Sequence, residues 1–163
     1  MGHEIGYHYE TMDTCKGDVD KAYDEFCRNL ETLRKLVPVS SICMHGSPRS
    51  RWDNKDIWKK YDYKALGLIG EPYFDTDFSK VAYLTDTGRC WNGSSVSVRD
   101  KVESAYSFNF KTTNDIITHI HQLPDQVMFT FHPQRWTNNP LEWTQEFILQ
   151  NLKNQVKKII IRR

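Results

Sequence analysis

Three of the six histidines in this 163-residue chain come at the ends of predicted strands. His8 lies near the end of the first strand, His45 directly follows the second, and His132 directly follows the fifth. Asp86 follows the fourth. In parallel α/β folds, functional groups collect at the carboxyl ends of the strands. A histidine there serves as a metal ligand or as a general acid or base, or it simply hydrogen-bonds a loop carbonyl. The set as a whole predicts a catalytic or metal site.

A second candidate cluster lies on the first strand itself. Glu10 follows His8 by two residues, so both side chains point to the same face of that strand. The pair could supply two ligands to one cation. The same face could equally pack against a lysine, and the spacing alone does not separate these two interpretations.

Aromatic and arginine side chains recur in the loops beside the candidate residues. Arg89 is close to Trp91 in sequence, and Arg135 precedes Trp136. A flat aromatic face beside a fork of hydrogen-bond donors suits a sugar ring and its hydroxyls, and suits bases or peptides less specifically. Packing of the long loops is the alternative interpretation of these aromatic residues.

The elements that must position these residues alternate along the chain. Strands are predicted around 4–10, 39–44, 66–69, 81–85 and 126–131, and a last strand in the tail 157–163. A helix follows its cap Asp18, predicted from an apolar stripe that includes Ala22, Phe26 and Leu30. Another helix begins at Pro140 with Asn139 as its cap. We expect that last helix to face inward through Leu141, Ile148, Leu152 and Val156. Alternating strands and helices predict an α/β fold with parallel strands and outer helices.

The composition narrows the class of protein and its partners. The chain carries 22 Lys+Arg against 21 Asp+Glu, a net charge of +1, so we expect no nucleic-acid partner. No apolar run approaches the roughly 20 residues that cross a membrane, so we expect no membrane partner. The four cysteines form no Cys-x-x-Cys motif. Reduced cysteines in a cytoplasmic protein are the expectation.

Several segments of the chain resemble one known family. Gly2-His3-Glu4-Ile5-Gly6-Tyr7-His8 resembles the Gly-His-Glu-Ile-Gly-x-His segment of the polysaccharide deacetylases (carbohydrate esterase family 4). Phe129-Thr130-Phe131-His132-Pro133 resembles that family's late strand, which ends in an apolar-x-His motif. Thr85-Asp86 through Trp91 corresponds roughly to its aspartate–tryptophan motif, and Met44-His45-Gly46-Ser47-Pro48 to its Arg-x-Pro-x-Gly loop. The order and approximate spacing agree over nearly the whole chain.

The resemblance implies a distorted, incomplete (β/α) barrel and a hydrolase that removes N- or O-acetyl groups from a glycan. It also implies a divalent metal ion, typically zinc, with His8 as a ligand, and His132 as the acid that protonates the leaving group. We expect His8, Glu10 and His45 to form the metal set and Asp86 to join His132 as a catalytic candidate. The carbohydrate substrate would contact Arg89, Trp91, Arg135 and Trp136.

Two departures from the family pattern shape the expected domain. The family's paired aspartates precede its first segment, where this chain has almost no residues, and the family's second metal histidine falls at Met12. We therefore expect residues 1–163 to form one polysaccharide-deacetylase-like domain without its first βα unit or units, or a shortened relative. An inactive relative or fragment that binds glycans is the alternative function, and a metal-dependent phosphoester hydrolase is a third.

Overall fold

The computed structural model describes residues 2–46, 50–91 and 102–161. Part of the loop compared with the family's Arg-x-Pro-x-Gly motif, part of the loop that follows Trp91, and the end of the tail lie outside the described residues. The chain divides into two compact units, Met1–Thr76 and Asp77–Arg163. Each unit holds one pair of parallel strands.

The first unit is built on a β–helix–β crossover. Strand β1 (Gly6–Tyr9) pairs in parallel with β2 (Ser41–Met44), with Gly6 opposite Ser41 and Tyr9 opposite Met44. The connection carries the short helix α1 (Thr11–Thr14) and the long helix α2 (Val19–Arg34). Two 3₁₀ helices (Asn54–Lys59 and Tyr63–Leu66) and helix α3 (Pro72–Asp75) complete the unit.

Helix α2 forms where the sequence predicts it. The side chain of Asp18 accepts a hydrogen bond from the backbone N–H of Lys21, which satisfies one of the unpaired donors at the helix start. Ala22, Phe26 and Leu30 are buried at helical spacing against the strand pair, where Phe26 contacts Tyr9. Burial of this apolar stripe fixes α2 on the sheet and sets the position of β1.

The second unit repeats the parallel pairing. Strand β3 (Ala82–Thr85) pairs with β4 (Val127–Thr130), with Ala82 opposite Val127 and Thr85 opposite Thr130. Helix α4 (Thr113–Thr118) lies between them in sequence, and a 3₁₀ helix (Ile120–Gln122) follows it. After β4 come a 3₁₀ turn (Pro133–Arg135) and the long helix α5 (Pro140–Ile161). Because β3 and β4 are parallel and in register, Asp86 and the residue after Thr130 leave the same edge of the pair.

Two predicted strands are not strands in the structure. The segment 66–69 is replaced by the end of a 3₁₀ helix and a single bridge between Ser41 and Gly70. The tail is helical through Ile161, because α5 continues without a break. The chain is thus a mixed α/β protein with short parallel strand pairs, and no closed barrel is present among the described residues.

The inward face predicted for α5 is wrong. Leu141, Ile148, Leu152 and Val156 are all more than half exposed. The inward face of the helix is instead a polar stripe with a spacing of four residues. In this stripe Gln150 is buried, and Asn154 donates a hydrogen bond to the backbone oxygen of Gly88 at 2.8 Å. The stripe begins at Glu146, which lies against Arg89 and Arg135.

Neither a membrane-spanning helix nor a disulfide is present among the described residues. Across the described ranges, none of the helices is both long and apolar enough to cross a membrane. All four cysteines fall within the described residues, and none of them forms a disulfide.

Candidate functional site

The second unit places His132 and Asp86 in direct contact. Nδ1 of His132 lies 2.5 Å from Oδ1 of Asp86, and the backbone N–H of His132 donates to Oδ2 at 3.0 Å. Since an ionised carboxylate only accepts hydrogen bonds, the proton of this contact belongs to Nδ1. The two residues form an acid–base dyad of the kind that orients an imidazole for proton transfer.

The strand register explains why these two residues meet. The backbone N–H of Asp86 donates to the oxygen of Thr130 at 3.0 Å, which extends the ladder of β3 and β4 by one further hydrogen bond. Asp86 is buried at the end of that ladder, and His132 follows two residues after Thr130. The ends of β3 and β4 therefore place Asp86 and His132 side by side, as the sequence predicts for the carboxyl edge of a parallel strand pair.

The electrostatics favour an ionised Asp86. Burial opposes its ionisation, but hydrogen bonds from the side chain and backbone of His132 and the charge of Arg135 outweigh burial and hold the pKa of Asp86 below its usual range. Asp86 thus carries a negative charge at neutral pH.

Both predicted carbohydrate-binding arginines have partners inside the protein. Arg135 donates through Nη1 to the backbone oxygen of Asp86 and, at 3.2 Å, to its Oδ1. Arg89 donates through Nη1 to the carboxylate of Glu146, and its guanidinium lies 4.7 Å from the ring centroid of Trp143. Glu146 also lies 3.6 Å from Nε of Arg135.

Glu146 is a site residue that the sequence analysis missed. The sequence carries no signal for it, because the burial of the arginines that it pairs with becomes apparent only in the folded chain. Helix α5 contains two acidic residues, Glu142 and Glu146. The first accepts a hydrogen bond from the hydroxyl of Thr137, so the second is the counter-charge that α5 supplies to the arginines.

The two predicted aromatic contacts differ in their surroundings. Trp91 packs against the core of the second unit, and its Nε1 donates to the hydroxyl of Thr113 at 3.2 Å. Trp136 is 67% exposed and stacks on the exposed ring of Phe131, with centroids 5.2 Å apart. Because Phe131 and Trp136 flank His132 in sequence, an open aromatic surface is carried on the same short segment as the dyad.

The first unit brings together the three predicted metal ligands. Nε2 of His8 lies 3.0 Å from Nδ1 of His45, with the rings almost perpendicular. Oε2 of Glu10 lies 3.9 Å from the other ring nitrogen of His45, Nε2. His45 takes this position because its backbone N–H continues the β1–β2 ladder to the oxygen of Tyr9 at 2.8 Å.

Asn54 fixes the loop that carries His45. This buried amide accepts a hydrogen bond from the backbone N–H of Met12 at 3.0 Å and donates to the backbone oxygen of His45 at 2.9 Å. Asn54 thereby ties the loop after β2 to helix α1. The sequence analysis did not single it out, since an isolated asparagine before a short helix carries no distinctive pattern.

The donor set fits a metal ion in part. Nε2 of His8 and Nδ1 of His45 lie within hydrogen-bond distance of each other, whereas Glu10 faces the outer nitrogen of His45, where metal-bound histidines commonly meet a carboxylate. Within the described ranges, no group of three or more His, Cys, Asp and Glu side chains is placed to hold a metal ion. The three predicted ligands are therefore neighbours in the first unit, with His8 and His45 in direct contact and Glu10 beside the outer nitrogen of His45.

No protein-family model matches the chain, and neither a search of curated proteins nor one of solved structures gives a significant match.

Proposed function

We propose that the second unit carries the proton-transfer site of a hydrolase that removes acetyl groups from a glycan. The contact between Asp86 and His132 is the observation that carries this proposal. Similarity of the segments around His8 and His132 to those of polysaccharide deacetylases supports the choice of reaction. The distorted (β/α) barrel of that family is part of the same proposal, and the two parallel strand pairs are compatible with it.

The dyad assigns a role to each nitrogen of the histidine. Nδ1 of His132 donates to Asp86, so Nε2 is the atom that exchanges protons with a substrate. Water supplies the oxygen that bonds to the acetyl carbon, and the bond from that carbon to the sugar nitrogen or oxygen breaks. Nε2 of the protonated ring donates its proton to that departing atom. Asp86 stays ionised and holds the ring in the orientation that this transfer requires.

The choice of a carbohydrate substrate rests on the aromatic surface beside the dyad. Trp136 and Phe131 present stacked, exposed rings on either side of His132 in sequence. Such a surface can stack on the apolar face of a sugar ring. An extended oligosaccharide would cover more of this surface than a single sugar.

Replacing Trp136 with alanine should therefore weaken oligosaccharide binding by about fivefold, since an aromatic contact of this kind contributes roughly 1 kcal/mol. Monosaccharide binding should weaken less. Calorimetric titration of both ligands measures the two effects, with Phe74→Ala, which removes an exposed aromatic ring of the first unit, as the control. Equal losses for the two ligands would count against an extended sugar-binding surface.

Acetate release tests the proposed reaction directly. The full chain is incubated with N-acetylated glucosamine oligomers and with an O-acetylated glycan, and acetate is measured over time. We expect release that is proportional to protein and absent in a His132 variant. Glycan binding without acetate release would favour the non-catalytic binding module, and phosphate release from a phosphoester would favour the third interpretation.

The metal ion is a separate part of the proposal and concerns the first unit. His8 and His45 would hold a divalent ion, most simply zinc, with Glu10 on the outer nitrogen of His45. A bound ion of this kind acts as a Lewis acid and lowers the pKa of a water molecule.

Metal analysis of protein purified without chelator or affinity tag tests this site. We expect about one zinc ion per chain in the wild type and a clear loss in His8→Ala, because the pair then keeps a single nitrogen donor. His121→Ala, which removes an exposed histidine of the second unit, serves as the control. Equal metal content in wild type and His8→Ala would remove this part of the proposal.

We also place the protein in the cytoplasm. The four cysteines support this location, because none of them forms a disulfide.

A further inference from the structure

Two mostly buried arginines of the second unit share a single carboxylate. The side chains of Arg135 and Arg89 are 14% and 16% exposed, and both lie against Glu146 of helix α5. Burying two guanidinium groups without opposite charges would be costly. Asp86 and Glu146 supply two negative charges to the two positive ones, so the network balances around the dyad.

We propose that Glu146 is a positioning residue that acts through Arg135 to hold Asp86, and with it His132, in place. This inference rests on the proposed function of the dyad. Glu146 itself is not among the residues that would contact the substrate of the proposed reaction.

The rigid shape of the Arg135 guanidinium group couples Glu146 to Asp86. Arg135 faces Asp86 through Nη1 and faces Glu146 through Nε at 3.6 Å. Since the guanidinium is a rigid plane, fixing its Nε edge also fixes the direction of its Nη1 donors. Without the charge of Glu146, Arg135 keeps its attraction to Asp86 but loses the contact that sets its orientation.

Glu146 holds the loop of Asp86 by a second route. Arg89 has a backbone φ of 63° directly after Gly88 at 80°, a left-handed conformation that a non-glycine residue adopts at some cost. The ion pair with Glu146 and the cation–π contact with Trp143 hold Arg89 in that turn. The backbone N–H of Arg89 in turn donates to the oxygen of Asp86 at 2.9 Å.

The same helix contacts this loop again two turns later. Asn154 donates to the oxygen of Gly88, and the buried Gln150 between Glu146 and Asn154 donates to Asn154 at 2.8 Å. Glu146, Gln150 and Asn154 are spaced by four residues and thus lie on one face of α5. That face of α5 holds the loop 86–90, whose first residue is Asp86 of the dyad.

The test compares Glu146→Gln with Glu142→Gln. Both substitutions remove one carboxylate from α5, one turn apart, but Glu142 contacts Thr137 instead of the arginines. The readout is the downfield proton resonance of Nδ1–H in His132, assigned by its absence in a His132 variant. We expect this resonance to broaden or vanish in Glu146→Gln and to persist in Glu142→Gln.

Acetate release gives a second readout on the same variants. We expect kcat to fall roughly tenfold in Glu146→Gln with KM almost unchanged, the range found for partners that orient a reacting group. A wild-type resonance and wild-type kcat in folded Glu146→Gln protein would overturn the inference. A lost resonance in a protein whose wild type releases no acetate would support the inference and refute the proposed function.

If Glu146→Gln fails to fold, Glu146→Asp provides a second test of the inference. The shorter side chain keeps the negative charge but does not reach both arginines. We expect a shifted or broadened Nδ1–H resonance in this variant with a thermal unfolding midpoint near that of the wild type. A resonance identical to that of the wild type would overturn the inference.

Discussion

Replacing His132 with alanine is expected to lower kcat for acetate release by about 10²- to 10⁴-fold, the usual contribution of a general acid. The structure supplies the reason, because Asp86 orients the ring through Nδ1 and leaves Nε2 for the substrate. No described residue hydrogen-bonds Nε2 of His132. Initial rates at saturating glycan measure the effect, with His121→Ala as a control histidine of the same unit.

The stability of the same variant separates a catalytic role from a structural one. His132 is about one-third exposed and contributes little to the apolar core. Asp86 loses the ring hydrogen bond but keeps the backbone N–H of residue 132 and the donors of Arg135. We expect a loss of about 1–2 kcal/mol in the free energy of unfolding, the amount typical of one charged hydrogen bond. A loss of several kcal/mol with unchanged kcat would identify His132 as structural.

Replacing Glu71 with alanine is expected to have the largest effect on the stability of the first unit. Glu71 is fully buried, and its two oxygens accept hydrogen bonds from the backbone N–H groups of Met44 at 3.1 Å and Tyr73 at 2.8 Å. These contacts connect the end of β2 to the start of α3. Removal of the carboxylate takes this acceptor from the buried N–H of Met44 and from the partly buried N–H of Tyr73, each at a cost of about 1–3 kcal/mol.

We therefore expect Glu71→Ala to lower the free energy of unfolding by about 3 kcal/mol, measured by urea denaturation at neutral pH. Glu31→Ala is the control, because Glu31 is exposed on α2 and its removal should change stability by less than about 0.5 kcal/mol. A loss below about 1 kcal/mol in Glu71→Ala would show that water or a neighbouring group replaces the carboxylate.

The stability difference should also depend on pH. Burial raises the pKa of Glu71 against the opposing effect of the backbone hydrogen bonds from Met44 and Tyr73. Because the folded state binds this proton more tightly, the wild type loses stability as pH rises from the ordinary glutamate pKa to the raised one. Glu71→Ala lacks this dependence. The difference between the two proteins should thus be larger at the acid end of the interval, and a constant difference would argue against the raised pKa.

Local signals in the sequence predicted much of the secondary structure. The cap at Asp18 and the stripe of Ala22, Phe26 and Leu30 predicted α2 correctly, because capping and amphipathic spacing act within one helix. The cap at Asn139 is likewise present, since its side chain accepts a hydrogen bond from the backbone N–H of Leu141. The failures concern the segment 66–69 and the tail, where a short apolar run is compatible with either strand or helix.

The candidate site was predictable as far as strand ends determine it. His132 and Asp86 meet because parallel strands in register release their carboxyl ends at one edge. His8, Glu10 and His45 are neighbours for the same reason in the first unit. Glu71, Asn54 and Glu146 were missed, since each is defined by a partner that is distant in sequence.

By itself, then, the sequence determined the helices with clear caps, the parallel strand pairs, and the side chains that leave the strand ends. Only the tertiary structure decided which face of α5 is buried. Apolar periodicity predicted Leu141, Ile148, Leu152 and Val156 as the inward residues, yet these are exposed. The surface that α5 covers carries Arg89 and Arg135, so Glu146 at the start of its polar face is turned inward to balance their charge. Periodicity records which residues are apolar, whereas the charge of the surface to be covered becomes apparent only in the folded chain.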